Sequence, residues 1–175
     1  MKQLNLVNSE FALATCHREE NTNNLKLLKN ILLAFTKISK IIPVVIPLHP
    51  RTRKMIIEFN LEKYLSSLIT TNPLSFFDMT TLEQEAKVIL TDSGGIQKEA
   101  FFYGVPCVTM RDETEWTETV ELGWNRLAGT SQTRIFKATI SSIHSKRNEN
   151  NVRPYGEGNS AKQIVDLIFN TFTSH

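Results

Sequence analysis

Short apolar runs alternate with stretches of helical periodicity from residue 11 to the carboxyl end, and few folds accept that alternation. Phe11-Ala12-Leu13-Ala14-Thr15, Pro43 to Leu48, Val88-Ile89-Leu90-Thr91 and Pro106-Cys107-Val108-Thr109-Met110 read as buried strands. Leu68 to Thr71 is a weaker strand, and Arg126-Leu127-Ala128 a short last one. Between them, Leu25, Leu28, Leu32, Phe35 and Ile38 mark one face of a helix that Thr22 or Asn23 would cap. Further helices are expected over 51–64, from a Ser75 cap to Ala86, from Gly94 to Tyr103 with a stop at Gly104, and over Ala161 to Phe172. Strands alternating with helices imply right-handed crossovers, so the expected fold is α/β, a mostly parallel sheet with helices on both faces.

The 175 residues suffice for one such domain, assigned to 11–175, while residues 1–10 lack periodicity and read as a leader or hinge remnant. With 41% hydrophobic and 22% charged residues the chain has ordinary globular composition. A formal net charge of +2 gives no basic face for nucleic acid. The longest apolar runs fall far short of the roughly 20 residues of a membrane span, and no signal-peptide core follows Met1. Cys16 and Cys107 are far apart and lack metal-site spacing, as in a reduced, cytoplasmic protein.

In parallel sheets ligands gather where strands end. Three polar segments are expected there: Thr15 to Asn21, His49 to Lys54, and Asp92 to Glu99. Asp92-Ser93-Gly94-Gly95 joins a buried strand to a helix. Two glycines permit close approach to the backbone, and the unpaired N–H groups of the first turn, with the helix dipole, suit a phosphate. Ser93 either caps the helix or offers its hydroxyl to a phosphate oxygen, and Glu99, near the end of the second turn, can accept hydrogen bonds from a ribose diol. The competing reading is a tight turn with a surface glutamate. Asp-Ser-Gly-Gly also surrounds the nucleophile of chymotrypsin-like proteases, with His17 as a conceivable base, but here the serine opens a helix and no Gly-x-Ser-x-Gly elbow is present. His17 and Arg18 suit a diphosphate, Arg18 by a forked contact and His17 by giving a proton to a departing oxygen; a solvated capping loop is the plainer alternative. His49, after the second strand, can join the same pocket, and Arg51, Arg53 and Lys54 could be no more than an exposed helix start.

Four ordered motifs resemble those of the non-hydrolysing UDP-N-acetylglucosamine 2-epimerases, over about residues 11 to 173. They are Thr15-Cys16-His17-Arg18-Glu19-Glu20-Asn21, Leu90 to Ala100 around the glycine pair, Gly104 to Glu115, and Pro154-Tyr155-Gly156-Glu157-Gly158. The resemblance implies a Rossmann-like, three-layer domain, the carboxyl-terminal half of a glycosyltransferase-B-type pair facing a cleft. It implies that Ser93, Gly94 and Gly95 hold the UDP diphosphate and Glu99 the ribose. His17 would lie beside the diphosphate and reacting sugar as the stabiliser of the leaving group, with Arg18 and His49 near the closed cleft and Met79 against the uracil. The family eliminates UDP across carbons 1 and 2 of the sugar and adds it back, with no metal or redox cofactor. Its acid and base carboxylates lie in the amino-terminal domain, so the resemblance implies a UDP-binding half inactive alone, a half completed by a separately encoded domain, or a non-catalytic remnant. A homodimer is a further expectation. Glu115-Trp116-Thr117-Glu118 stands where the main branch has Glu-Arg-Pro-Glu, and leans towards epimerases of diacetamido-uronic acid UDP sugars.

Overall fold

The structure is a computed structural model that describes residues 10–144 and 154–173. Six strands form one sheet in the order β3-β2-β1-β4-β5-β6, all of them parallel. They are β1 (Ala12–Thr15), β2 (Val44–Pro47), β3 (Ile69–Thr71), β4 (Val88–Thr91), β5 (Cys107–Thr109) and β6 (Asn125–Leu127). The chain builds outwards through β2 and β3, then returns to place β4 on the other side of β1. This is the Rossmann order, and the reversal opens a crevice at the carboxyl ends of β1 and β4.

Side chains along each strand alternate between two apolar layers. Ala12, Ala14, Val44, Ile46, Val88, Leu90 and Val108 enter one layer. Phe11, Leu13, Val45, Ile89 and Cys107 enter the other. Both faces are therefore buried, which explains why the strands read as nearly continuous apolar runs. The helices α2 (Leu25–Ile38) and α7 (Gln132–Ile143) cover the first layer through Leu28, Ile31, Leu32, Phe35, Ile38 and Ile135. The helices α4 (Phe76–Glu85) and α5 (Gly94–Phe102) cover the second, where Leu82 and Ala100 pack.

Local chemistry explains most boundaries. Ser75 caps α4 by accepting from Asp78 N–H at 3.2 Å. Gly104, with φ of 65°, ends α5 in the left-handed conformation that suits glycine. The α2 cap differs from expectation: Asn24 accepts from Lys26 and Leu27 N–H. Thr22 instead closes a four-residue helix, α1 (Glu19–Thr22), whose C-cap is Asn23. The helix expected over 51–64 is also two elements. α3 (Pro50–Glu58) begins on a proline, and Asn60 at φ of 55° separates it from a 3₁₀ turn at Glu62–Leu65.

Besides the short α1, two further helices were not foreseen. α6 (Thr117–Glu121) has five residues, too few for a period. α7 turns Thr139 and Ser142 towards the core beside Ile135, so its apolar stripe is interrupted; Thr139 compensates by donating its hydroxyl to Ile135 C=O at 2.7 Å. The last helix, α8 (Ser160–Thr173), exposes Ile164, Val165, Leu167, Ile168, Phe169 and Phe172. Among the described residues no helix is long and apolar enough to cross a membrane. The leader or hinge reading of residues 1–10 falls outside the described residues, apart from Glu10.

Candidate functional site at the crevice of strands β1 and β4

The site is organised by a carboxylate. β1 and β4 end in register, Thr15 opposite Thr91, with their hydroxyls 2.7 Å apart. The next residue of β4's chain is Asp92, fully buried. Its oxygens accept from the backbone N–H of His17 at 3.1 Å, the N–H of Arg18 at 3.1 Å and the Asn21 amide at 3.0 Å. Asn21 also donates to Met110 C=O at 3.2 Å, tying the loop to the end of β5. A buried negative charge is tolerable only with such hydrogen bonds. Here they also fold the 16–18 loop over the end of the sheet. The same burial, reinforced by the Asp92 charge, pushes the Cys16 thiol well above its usual range. Cys16 and Cys107 are both buried and unpaired in a disulfide.

That loop aims its side chains at one cleft. His17 Nδ1 lies 3.6 Å from Asp92 Oδ1, which turns Nε2 away from the carboxylate. The His49 ring stands 5.6 Å from the His17 ring. His49 also caps α3, its Nδ1 accepting from Arg51 N–H at 3.2 Å, so the proton of the neutral ring sits on Nε2. Arg51 pairs with Glu19, and Thr52 donates to Cys16 C=O, which ties α3 to the first loop. His17, Arg18, Glu19, Glu20, His49 and Arg51 line an open cleft of about 600 Å³.

Arg18 links this cleft to the start of α5. Its guanidinium pairs with Glu115 at 3.5 Å and Glu20 at 3.8 Å. A Cβ at Gly94 would sit 3.4 Å from Glu115 Oε2 and 3.9 Å from Arg18 Nη2. Glu115 also receives both contacts of Arg111, at 2.9 and 3.0 Å, which hold its carboxyl down at about 2. Ser93 occupies the N-cap position of α5 without a side-chain capping bond. Its own N–H donates to Thr91 Oγ1 at 2.9 Å, which leaves the hydroxyl uncommitted to the helix. His17, Arg18, His49, Ser93 and the two glycines therefore surround one end of the sheet.

The candidate residues Glu99 and Met79 lie away from this cleft, on α5 and α4. Glu99 lies four residues beyond Gly95 and shares its face of α5. Met79 is half-buried against the second apolar layer, four residues before Glu83 on α4. Glu83 is only 2% exposed, and its carboxyl is pushed up to about 7 by burial first and by the charge of Glu99 second. The face of α4 bearing Met79 and Glu83 thus looks towards the face of α5 bearing Gly95 and Glu99. Among the described residues no three His, Cys, Asp or Glu side chains gather as they would around a metal ion.

Residues 1–169 match the family model described as UDP-N-acetylglucosamine 2-epimerase. The chain belongs to this epimerase family. It is 42% identical over 173 residues to a UDP-N-acetylglucosamine 2-epimerase homolog of Methanococcus maripaludis, across 97% of this chain and 47% of that one. It is 41% identical over 159 residues to the UDP-2,3-diacetamido-2,3-dideoxy-D-glucuronate 2-epimerase of Pseudomonas aeruginosa, across 90% of this chain and 44% of that one. The crystal structure of Methanocaldococcus jannaschii UDP-GlcNAc 2-epimerase in complex with UDP-GlcNAc and UDP superposes with a TM-score of 0.86 at 38% identity, covering 97% of this chain and 48% of that one. The chain spans about half the length of these relatives.

For this epimerase-family chain the sequence reading had not singled out Asp92, Asn21 or Glu83. Glu83 was detectable, because it interrupts the inward stripe of Met79, Leu82 and Ala86. Its folded carboxyl keeps a proton up to about 7, whereas in the unfolded chain it ionises near 4.5. The folded state therefore binds the extra proton between those values, and stability falls as pH rises across that window. Glu83→Gln is expected to flatten this slope and to raise stability at pH 8 by about 1–2 kcal/mol. Urea unfolding of both proteins at pH 5 and pH 8 measures it; identical slopes contradict the assignment.

Proposed function

We propose that this domain binds the UDP moiety of a UDP-N-acetylhexosamine and stabilises the diphosphate as it departs in 2-epimerisation. Removing the carbon-2 proton while the carbon-1 oxygen bond breaks leaves a carbon 1–carbon 2 double bond, and the bond's electron pair goes to UDP. Re-addition of UDP, with the proton delivered to the other face of carbon 2, gives the epimer. The observation that carries this reading is the convergence of the Asp92-held His17–Arg18 loop with the glycine start of α5, in a chain 38–42% identical to epimerases.

In this reading the N–H groups of Gly94 and Gly95, the Ser93 hydroxyl and Arg18 bind the diphosphate. Nε2 of His17, with His49 beside it, stabilises charge developing on the leaving oxygen. Glu99 accepts from the ribose hydroxyls and Met79 packs on the uracil. The carboxylates that move the carbon-2 proton come from the other, amino-terminal half of the family fold, whether in the same polypeptide or a separate one, and the residues here form the carboxyl-terminal half. A diacetamido-uronic acid UDP sugar is a second substrate reading, favoured by the 41% identity to the Pseudomonas aeruginosa enzyme. We place the protein in the cytoplasm, in the supply of nucleotide sugars for cell-envelope polysaccharide, and expect that it can pair as a homodimer.

The 175-residue polypeptide by itself is expected to bind UDP without turning over the sugar. UDP at about a hundred times Kd should stabilise it by about 2.7 kcal/mol, read as a rise in Tm. In deuterated water the same polypeptide should place no deuterium at carbon 2 of UDP-N-acetylglucosamine until the amino-terminal half is supplied. Absence of any UDP-dependent shift in Tm would sink the binding reading, and catalytic deuterium incorporation by the polypeptide alone would sink the division of labour.

A further inference from the structure

Trp116 has no role in the reading above, yet it is fastened to the first turn of α5 from several sides. Its indole Nε1–H donates to Gly94 C=O at 2.8 Å. Its backbone N–H donates to Thr114 Oγ1 at 3.1 Å, and that hydroxyl donates to Oε1 of the fully buried Gln97 at 2.6 Å. Lys98 Nζ lies 4.4 Å from the Trp116 ring and 4.5 Å from the Tyr155 ring. The two rings themselves meet edge-on at 5.8 Å. Cation–π and edge-to-face contacts of this kind hold an indole in one orientation.

The consequence lies in the peptide unit that the indole grips. Gly94 C=O and Gly95 N–H belong to one planar group and point in opposite directions. Two consecutive glycines open the first turn of α5, where no Cβ restrains the backbone. A donor on the carbonyl from outside the helix further restrains this peptide unit and, with the helix, sets where the Gly95 N–H points. It also polarises the peptide, which strengthens the N–H as a donor on its far side.

We propose that Trp116 is a positioning residue for the diphosphate: by holding the Gly94 carbonyl, it aims and polarises the Gly95 N–H towards the phosphate oxygens. The inference rests on the UDP-binding reading. It also gives a role to the Glu115-Trp116-Thr117-Glu118 segment, in which Glu115 braces Arg18 and Trp116 braces the backbone.

Trp116→Phe keeps an aromatic ring against Lys98 and Tyr155 and deletes the donor together with part of the indole. Calorimetric titration of the 175-residue chain with UDP is expected to show Kd raised roughly three- to tenfold, as for one lost neutral hydrogen bond, with the unliganded Tm within about 2 °C of wild type. A residue that merely tethers the loop would lower Tm and leave Kd alone. Should Trp116→Phe fail to fold, the wild-type protein still gives an answer. It contains two tryptophans, so a ¹⁵N spectrum holds two indole signals, assigned with Trp124→Phe. The Trp116 signal is expected to shift on saturation with UDP. Equal Kd values for wild type and Trp116→Phe, or an indole signal unmoved by saturating UDP, overturn the inference alone. A wild-type chain that does not bind UDP overturns the binding reading, and this inference with it.

Discussion

Asp92→Ala is expected to cost about 3–5 kcal/mol of folding stability, a fall in Tm of about 10 °C for a domain of this size. The carboxylate is fully buried and accepts from His17 N–H, Arg18 N–H and the Asn21 amide. Alanine offers none of them an acceptor, and a buried donor left unpaired costs about 1–3 kcal/mol. Asp92→Asn keeps one acceptor oxygen but turns an NH₂ towards groups that are themselves donors, so an intermediate loss is expected. Both variants also release the loop that aims His17 and Arg18, so UDP affinity should fall even well below the melting transition. Urea unfolding of the three proteins, followed by UDP titration of each, measures both effects. A loss below about 1 kcal/mol for Asp92→Ala would show that the loop is held by something else.

The importance of Asp92 could not be read from its motif, and the reason is physical. Its partners are 71 to 75 positions away in sequence. They become neighbours only because the reversal of strand order sets β1 beside β4. Elements whose cause is local were legible: the apolar period of α2, the strand Val88–Thr91, the Ser75 cap and the glycine at the end of α5. A mostly parallel sheet followed from the alternation of elements, and with it ligand sites at the strand ends; the strand order did not. What escaped were pieces whose local signal is weak or contrary. α1 and α6 are too short to show a period, and α7 buries hydroxyls where a stripe would carry leucines. Among the candidate residues, His17, Arg18 and His49 line one cleft and Gly94 lies beside Arg18, at the strand ends where the sequence placed them. Trp116 meets the Gly94 carbonyl through a tertiary contact that no spacing announces, and although the stripe of α4 marks Glu83 as buried, its neighbour Glu99 lies on another helix.

Glu99→Ala is expected to weaken UDP about a hundredfold while leaving the unliganded protein at least as stable as wild type. Two hydrogen bonds from a ribose diol to a carboxylate contribute about 1.5 kcal/mol each, near the lower end for bonds to charged groups, and together give that factor. At a UDP concentration of a hundred times the wild-type Kd, stabilisation would fall from about 2.7 kcal/mol to about 0.4 kcal/mol. The corresponding rise in Tm shrinks from several degrees to about one. Stability without ligand is spared because the Glu99 carboxylate makes no hydrogen bond or ion pair among the described residues. Its charge instead raises the pKa of Glu83 on the facing helix, so the substitution also lets Glu83 ionise more readily. The assignment to the ribose has a sharper signature than the loss alone. Wild type should prefer UDP to its 2′-deoxy analogue, whereas Glu99→Ala should bind the two alike, because the group that distinguishes them is gone. A variant that keeps both the UDP response and the preference for the 2′-hydroxyl places the ribose contact elsewhere. A variant that loses affinity but keeps the preference confines Glu99 to an indirect effect on the neighbouring glycines.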